Sequence, residues 1–162
     1  MKIVIKRPET PAEIEGSAFV HWQAWRETYP GMVPQRFLEE RTRESCVEKA
    51  YAYAGERLIA VAEGKVVGFA ACGAYRGADA EDAGEIDALY VLRAYQGCGV
   101  GRALTDACFL ALAEYRRICV WVLRENEKAI GFYEHYGFRR DGAEKTIMLG
   151  GPVQGIRMVC KN

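Results

Sequence analysis

β-branched Ile3, Val4 and Ile5, set among the charges of Lys2, Lys6 and Arg7, predict a short strand over residues 2–7 that closes at Pro8. The apolar period then lengthens. Ile14, Ala18, His21 or Trp22, Trp25 and Tyr29 recur at helical spacing until Pro30-Gly31 ends the run. Thr10-Pro11-Ala12-Glu13 supplies the start, with a capping threonine, proline at the first helical position and glutamate three residues after the cap. Trp22 and Trp25 fit packing on a sheet; the other use of this aromatic face is a ligand cleft lined by His21, Trp25 or Tyr29. Val33-Pro34 opens a short helix carrying Phe37 and Leu38, and Ser45-Cys46-Val47-Glu48 reads as a capping box for a helix through Tyr53, stopped by Gly55.

Residues 57–63 and 65–72 are β-rich runs on either side of Gly64, which predicts an antiparallel hairpin. Gly, Ala and acidic residues mark 76–84 as a loop. A strand over 85–92 leads into a turn, Gln96-Gly-Cys-Gly-Val-Gly101, and then into a helix whose stripe is Ala103, Leu104, Ala107, Cys108, Ala111 and Leu112, ending near Arg116. The continuous apolar run 118–123 predicts a central strand covered on both faces. Asn126 caps a helix with Ala129, Ile130, Phe132 and Tyr133, terminated by Gly137. After Phe138, strands around 145–149 and 156–160 are joined by a Gly-Gly-Pro turn. An antiparallel front half and a strand-helix-strand crossover give an α/β class (α+β), a mixed sheet with helices on both faces.

Composition narrows the function without naming it. A chain of 162 residues predicts a single domain over 1–162 that needs no disulfide or metal to hold it. The 22 basic and 22 acidic residues cancel, which recommends neither nucleic acid nor an anionic membrane as partner. Six scattered cysteines without a C-x-x-C pair read as reduced cytosolic thiols, and two distant histidines give a zinc site little to be built from. No apolar run suggests a signal peptide or membrane span, so a soluble cytoplasmic protein is expected.

The chemistry concentrates at residues 85–107. Gly97, Gly99 and Gly101 remove side chains that would shield backbone amides where a helix begins with its first N–H groups unpaired, a setting for an anion, most often phosphate. Arg102-Ala103 after Gly101 excludes a Walker-type loop, which needs Lys-Ser/Thr there. The G-x-G-x-G spacing and mid-chain position also depart from a dinucleotide fingerprint.

Gln96-x-x-Gly99-x-Gly101, preceded by Leu89-Tyr90-Val91 and followed by Asn126 and Phe132-Tyr133, resembles the acyl-CoA-binding pattern of the GNAT-type N-acetyltransferase superfamily over about residues 57–138. The resemblance implies the GNAT fold, a mostly antiparallel sheet with one splayed parallel strand pair. It implies acetyl-CoA as co-substrate, its pyrophosphate on residues 97–102 (Gly97, Cys98, Gly99, Val100, Gly101, Arg102) beside Gln96. The pantetheine would lie along the main chain of Leu89, Tyr90 and Val91, with an amide of Leu89 or Tyr90 polarising the thioester. Asn126 matches a pantetheine contact or is a plain N-cap. Tyr133 matches the general acid for a thiolate of pKa about 8.5, or is a core tyrosine.

An acceptor amine of pKa about 10.4 must lose a proton before it attacks in the ternary complex. Glu85, eleven residues before Gln96, matches a catalytic glutamate, with Asp87 in reserve on the same strand face; both also suit a solvated strand edge. Asp79, Glu81, Asp82, Glu85 and Asp87 would suit a cationic acceptor, small or peptidic, or merely a soluble loop. An acyl-cysteine at Cys98 is disfavoured because that residue points into the phosphate site. A non-catalytic acyl-CoA sensor is the alternative, and the resemblance admits a homodimer through an edge of the last strands.

Overall fold

The computed structural model describes residues 1–80 and 82–162. Along it run β1 (Ile3–Lys6), α1 (Pro11–Thr28), α2 (Gln35–Glu40), α3 (Arg43–Ala52), β2 (Glu56–Ala62), β3 (Lys65–Ala74), β4 (Ala83–Val91), a 3₁₀ turn (Arg93–Tyr95), α4 (Val100–Ala111), β5 (Arg117–Leu123), α5 (Glu127–Tyr136), β6 (Arg139–Met148) and β7 (Pro152–Lys161). The strands form one sheet in the order β1-β2-β3-β4-β5-β7-β6, antiparallel except for the β4–β5 pair. It is the mixed, mostly antiparallel sheet expected from the sequence. Its two faces are covered differently. Leu104 and Cys108 of α4 and Ile130 and Tyr133 of α5 pack on Ala70, Ile86, Ile118 and Val120, while Val20 of α1 packs on Ile59 and Phe69 of the opposite face.

Local chemistry explains most boundaries. Thr10 caps α1 by accepting from the Glu13 amide at 3.2 Å, and Glu13 reaches back to the Glu9 amide at 2.7 Å, one residue beyond the cap itself. Glu63 and Gly64, at φ 51° and 76°, make the tight left-handed reversal of the β2–β3 hairpin. Asn126 caps α5 through Ala129 N at 3.2 Å, and Gly137 ends it at φ 128°.

Four expectations are corrected. The cap of α3 is Thr42, which accepts from Ser45 N at 3.1 Å; Ser45 instead turns its hydroxyl back to Thr42 O, so the helix starts earlier than Ser45. Helix α4 stops at Ala111, because Asn162 Nδ2 takes the carbonyls of Leu112 and Tyr115 (2.8 and 3.1 Å) and holds the chain in a turn. Within α4, Ala111 is exposed and Thr105 is buried, its hydroxyl satisfied by Gly101 O at 2.8 Å. Finally, β6 begins directly after Phe138 and is far longer than residues 145–149, with an irregularity between Arg140 and Glu144.

Candidate active site

Strands β4 and β5 share a ladder only from Ala83↔Arg117 to Ile86↔Val120. Beyond that, β5 continues against β7 as far as Leu123↔Gly155, and β4 continues against β3 as far as Val91↔Gly68. The edge of β4 from Asp87 to Val91 is therefore open toward β5. A bulge contributes, since Cys72 faces Ile86 while Ala71 faces Ala88, leaving Asp87 as the extra residue. The bulge turns Asp87 and Ala88 to the face covered by α1 and α3. Leu89 and Val91 point to the α4 face and Tyr90 to the α1 face.

The open edge runs into the glycine turn. Gly97 and Gly99 adopt φ 75° and 82°, where a side chain is strained although nothing stands within 4 Å. Gly101 serves differently: a Cβ there would meet the Phe132 ring at 3.3 Å, so its absence lets α5 approach α4. No side chain caps α4, and Ala103 N is the first amide to bond back, to Gly99 O at 3.0 Å. The amides of Val100, Gly101 and Arg102 precede it and lack an intrahelical acceptor. Val100 is buried and offers only its main chain, whereas Cys98 is exposed at the turn. Arg102 is exposed, its guanidinium 5.9 Å from the Tyr136 ring centre.

Gln96 donates to Val91 O at 3.0 Å and accepts from Lys128 Nζ at 2.5 Å. Lys128 thus stands beside the turn from the first turn of α5, a cation that no sequence spacing announced. Asn126 is 6% exposed, with Oδ1 engaged in its cap and Nδ2 left over. Tyr133 is 6% exposed and its hydroxyl makes no hydrogen bond among the described residues; burial, with Tyr90 and Cys108 nearby, pushes its phenol well above the usual range. Phe132 stacks edge-on against it at 5.2 Å.

Glu85 is not on a solvated edge. It is 2% exposed and accepts from Arg76 through Nε, Nη2 and the backbone amide, each at 3.2 Å. Asp87 shares its face, as alternation required, and accepts from the Tyr53 hydroxyl. Its Oδ1 stands 3.1 Å from Arg76 Nη2, an ion-pair separation without hydrogen-bond alignment. Burial, helped by the Glu85 charge and opposed by Tyr53 and Arg76, pushes the Asp87 carboxyl up to about 6. The other predicted acids are engaged elsewhere: Asp79 pairs with Arg157 (2.6 Å) and Asp82 with Arg117 (3.4 Å), while Glu81 lies outside the described residues.

A cavity of about 330 Å³ opens on the α1 face beside Asp87 and Ala88, walled by His21, Lys49, Tyr53, Arg57, Phe69 and Arg76 among others. His21 stacks on Tyr90 at 5.5 Å and accepts from Arg41 at 2.8 Å, which puts its own proton on Nδ1. Burial, with Arg41 second, drops its pKa to about 3, so the ring is neutral. Trp25 packs between Tyr29 and Arg41, and the hydroxyls of Tyr29 and Tyr90 meet at 3.0 Å. Trp25 packs beside Tyr90 and Leu123 of the sheet as expected, but Trp22 turns to α3, against Cys46 and Ala50, and donates to Arg41 O at 3.1 Å; of His21, Trp25 and Tyr29, His21 is the one that lines the cavity.

Residues 20–138 match the model of the acetyltransferase (GNAT) family. The chain belongs to the GNAT family of acetyltransferases. It is 32% identical over 142 residues to the uncharacterized N-acetyltransferase YuaI of Bacillus subtilis, covering 85% of this chain and 82% of that one. A 67-residue stretch, 41% of this chain and 44% of the relative, is 37% identical to the peptidyl-lysine N-acetyltransferase YjaB of Escherichia coli. Among solved structures, the PaiA N-acetyltransferase of Thermoplasma acidophilum in complex with coenzyme A superposes with a TM-score of 0.76 at 19% identity, covering all of both chains. The GNAT fold accounts for the splayed β4–β5 pair and for the helices on both faces. All six cysteines are free, and among the described residues no helix is long and apolar enough to cross a membrane and no three metal-ligating side chains cluster.

Proposed function

We propose that this GNAT protein moves an acetyl group from acetyl-CoA to a primary amine by direct attack in a ternary complex. One observation carries the reading: the unpaired edge of β4, residues 87–91, leads directly into the free amides at the start of α4. An extended pantetheine arm fits that edge as an added strand, and a pyrophosphate fits the amides of residues 97–102 at a helix N-terminus. The coenzyme A complex of the PaiA neighbour supports this choice of co-substrate.

The chain's own residues then divide the work. Leu89 and Val91 bind through their main chain and the Leu89 N–H polarises the acyl carbonyl, while Tyr90, paired with Phe69 in the β3–β4 ladder, turns its own amide to β3. Gln96 holds the turn to the end of β4, Lys128 adds positive charge, and the Asn126 amide is a donor toward the arm. Phe132 fixes the approach of α5 to Gly101, which sets where Tyr133 stands. Tyr133 stays protonated and stabilises the leaving thiolate by donating a hydrogen bond. Asp87 takes the proton of the amine, while Glu85, fully engaged by Arg76, holds the guanidinium that fixes Asp87. The order Glu85 first, Asp87 second is thereby reversed.

Acetyl-CoA is expected to raise the melting temperature and to release free thiol only when an amine acceptor is supplied. Tyr133→Phe should lower kcat by about 100-fold or more with acetyl-CoA affinity unchanged. Undiminished turnover in that variant removes Tyr133 from the chemistry.

A further inference from the structure

The walls of the cavity beside Asp87 are cationic in a way that the transfer chemistry does not require. Lys49 and Arg57 face it, and neither has a carboxylate partner among the described residues. Arg57 is half-buried, with one Nη on Ser17 Oγ at 3.2 Å, its guanidinium carbon over the Phe69 ring at 4.8 Å from the ring centre, and its Nε buried without an acceptor. A guanidinium so placed loses hydration without regaining it from the protein, at a real cost to the fold. Burial accordingly pulls its pKa down. Arg41, behind His21, also has a buried Nε without an acceptor.

Among the described residues Asp87 is the single carboxylate on the cavity wall, and it is tied to Arg76 and Tyr53. Tyr53 spans the two poles, its hydroxyl on Asp87 and its ring 5.6 Å from the Arg57 guanidinium. The cavity therefore presents a proton acceptor and, one tyrosine away, a guanidinium without a carboxylate partner among the described residues, with Lys49 on the same wall. Its volume, near the lower bound for small-molecule clefts, suits a compact molecule.

We infer that the acceptor is a small amino acid-like compound, a primary amine that also bears a carboxylate. Its amine lies at Asp87 and its carboxylate is gripped by Arg57 with Lys49. The inference rests on the transfer reading above and narrows its acceptor. It runs against the polyamine-like or lysine-peptide acceptor that the acidic residues of 79–87 suggest in the sequence, since the described members of that set are already paired with arginines. A planar guanidinium held over an aromatic ring loses little freedom when it binds a carboxylate, to which it can give two parallel hydrogen bonds.

The test measures thiol release from acetyl-CoA with free amino acids, their carboxamides, polyamines and a lysine peptide. Carboxylate acceptors are expected to exceed their own amides in kcat/KM by about tenfold or more. Arg57→Gln should raise KM for the carboxylates and bring the acid-to-amide ratio near one, Arg57→Lys should restore part of it, and exposed Lys49→Gln, which leaves the core untouched, should reduce it less. Amides or polyamines that equal or surpass the acids overturn the inference, as does an acid-to-amide ratio untouched by Arg57→Gln in a folded variant. If acetyl-CoA binds and no amine is acetylated, the transfer reading fails. Equilibrium binding of N-acetyl amino acids and their amides then decides the acceptor class separately: Arg57-dependent preference for the acid upholds it, and equal or absent binding overturns it.

Discussion

Asp87 and His21 border the same cavity, and burial moves both toward their neutral forms, with opposite consequences for pH. Asp87, raised to about 6, accepts a proton only above that value. Transfer is therefore expected to show an acid limb centred near pH 6 in kcat/KM, shared by acceptors whose amines differ in pKa and abolished with most of the activity in Asp87→Asn. A limb that follows the acceptor's own amine would assign the titration to the substrate instead. In stability terms the raised Asp87 favours the fold fully below its unfolded pKa near 4, and that contribution is lost as pH rises through about 6. His21 works the other way. Its pKa falls from 6.5 to about 3, so its contribution is present above 6.5 and lost on acidification, at about 1.4 kcal/mol per pH unit in between. Urea unfolding of wild type and His21→Phe at pH 7, 5.5 and 4.5 should show the flatter dependence in the variant; parallel curves would mean that the ring is hydrated or charged in the folded state.

Among the elements, the placement of α4 depends on a residue in another strand. A Cβ at Gly68 of β3 would lie 3.2 Å from both Leu104 and Val100 and 3.1 Å from the Tyr90 carbonyl. Gly68→Ala is expected to cost roughly 1–3 kcal/mol by overpacking and, by lifting the first turn of α4 off the sheet, to weaken acetyl-CoA binding as well. Urea unfolding with calorimetric titration checks both; lost stability with intact affinity would separate the helix position from the phosphate site. Strand and helix identities were legible from periodicity, and the glycine turn from its spacing, because both are local. Boundaries set from afar were not. Ser45 and Thr42 are equally good capping residues on paper, and only the fold selects Thr42. Nothing near Ala111 foretells that Asn162, fifty-one positions later, closes its helix. Gly101 was legible as a glycine but for another purpose, since its partner Phe132 sits on a different helix.

At the level of the whole molecule, the proposed co-substrate half of the site lies within one continuous stretch plus α5, whereas the proposed acceptor half is assembled from α1, α3, β2, β3, β4 and the segment after β3. That is why the first half could be proposed from the sequence and the gathering of Lys49, Tyr53 and Arg57 on one cavity wall could not. The segment carrying Arg76 is in turn held by the far end of the chain. Arg157 of β7 bonds Asp79 (2.6 Å), the Tyr75 hydroxyl (3.0 Å) and Asp141 of β6 (2.7 Å), lies 5.8 Å from the Trp121 ring centre, and is itself 12% exposed. Removing it leaves two carboxylates without their shared cation and frees Tyr75, next to Arg76. Arg76 orients Asp87, so the disturbance should reach the acceptor and spare acetyl-CoA. Arg157→Met is accordingly expected to lower stability by about 1–3 kcal/mol and to raise acceptor KM several-fold while acetyl-CoA affinity holds. Asp79→Asn, which removes one more exposed partner, should do the same in milder form. Amide exchange at Tyr75, whose N–H bonds Ala83 O at 2.9 Å, gives an independent reading: faster exchange in Arg157→Met together with raised acceptor KM ties the C-terminal hairpin to the acceptor site, and unchanged exchange with raised KM would place Arg157 in direct contact with the acceptor.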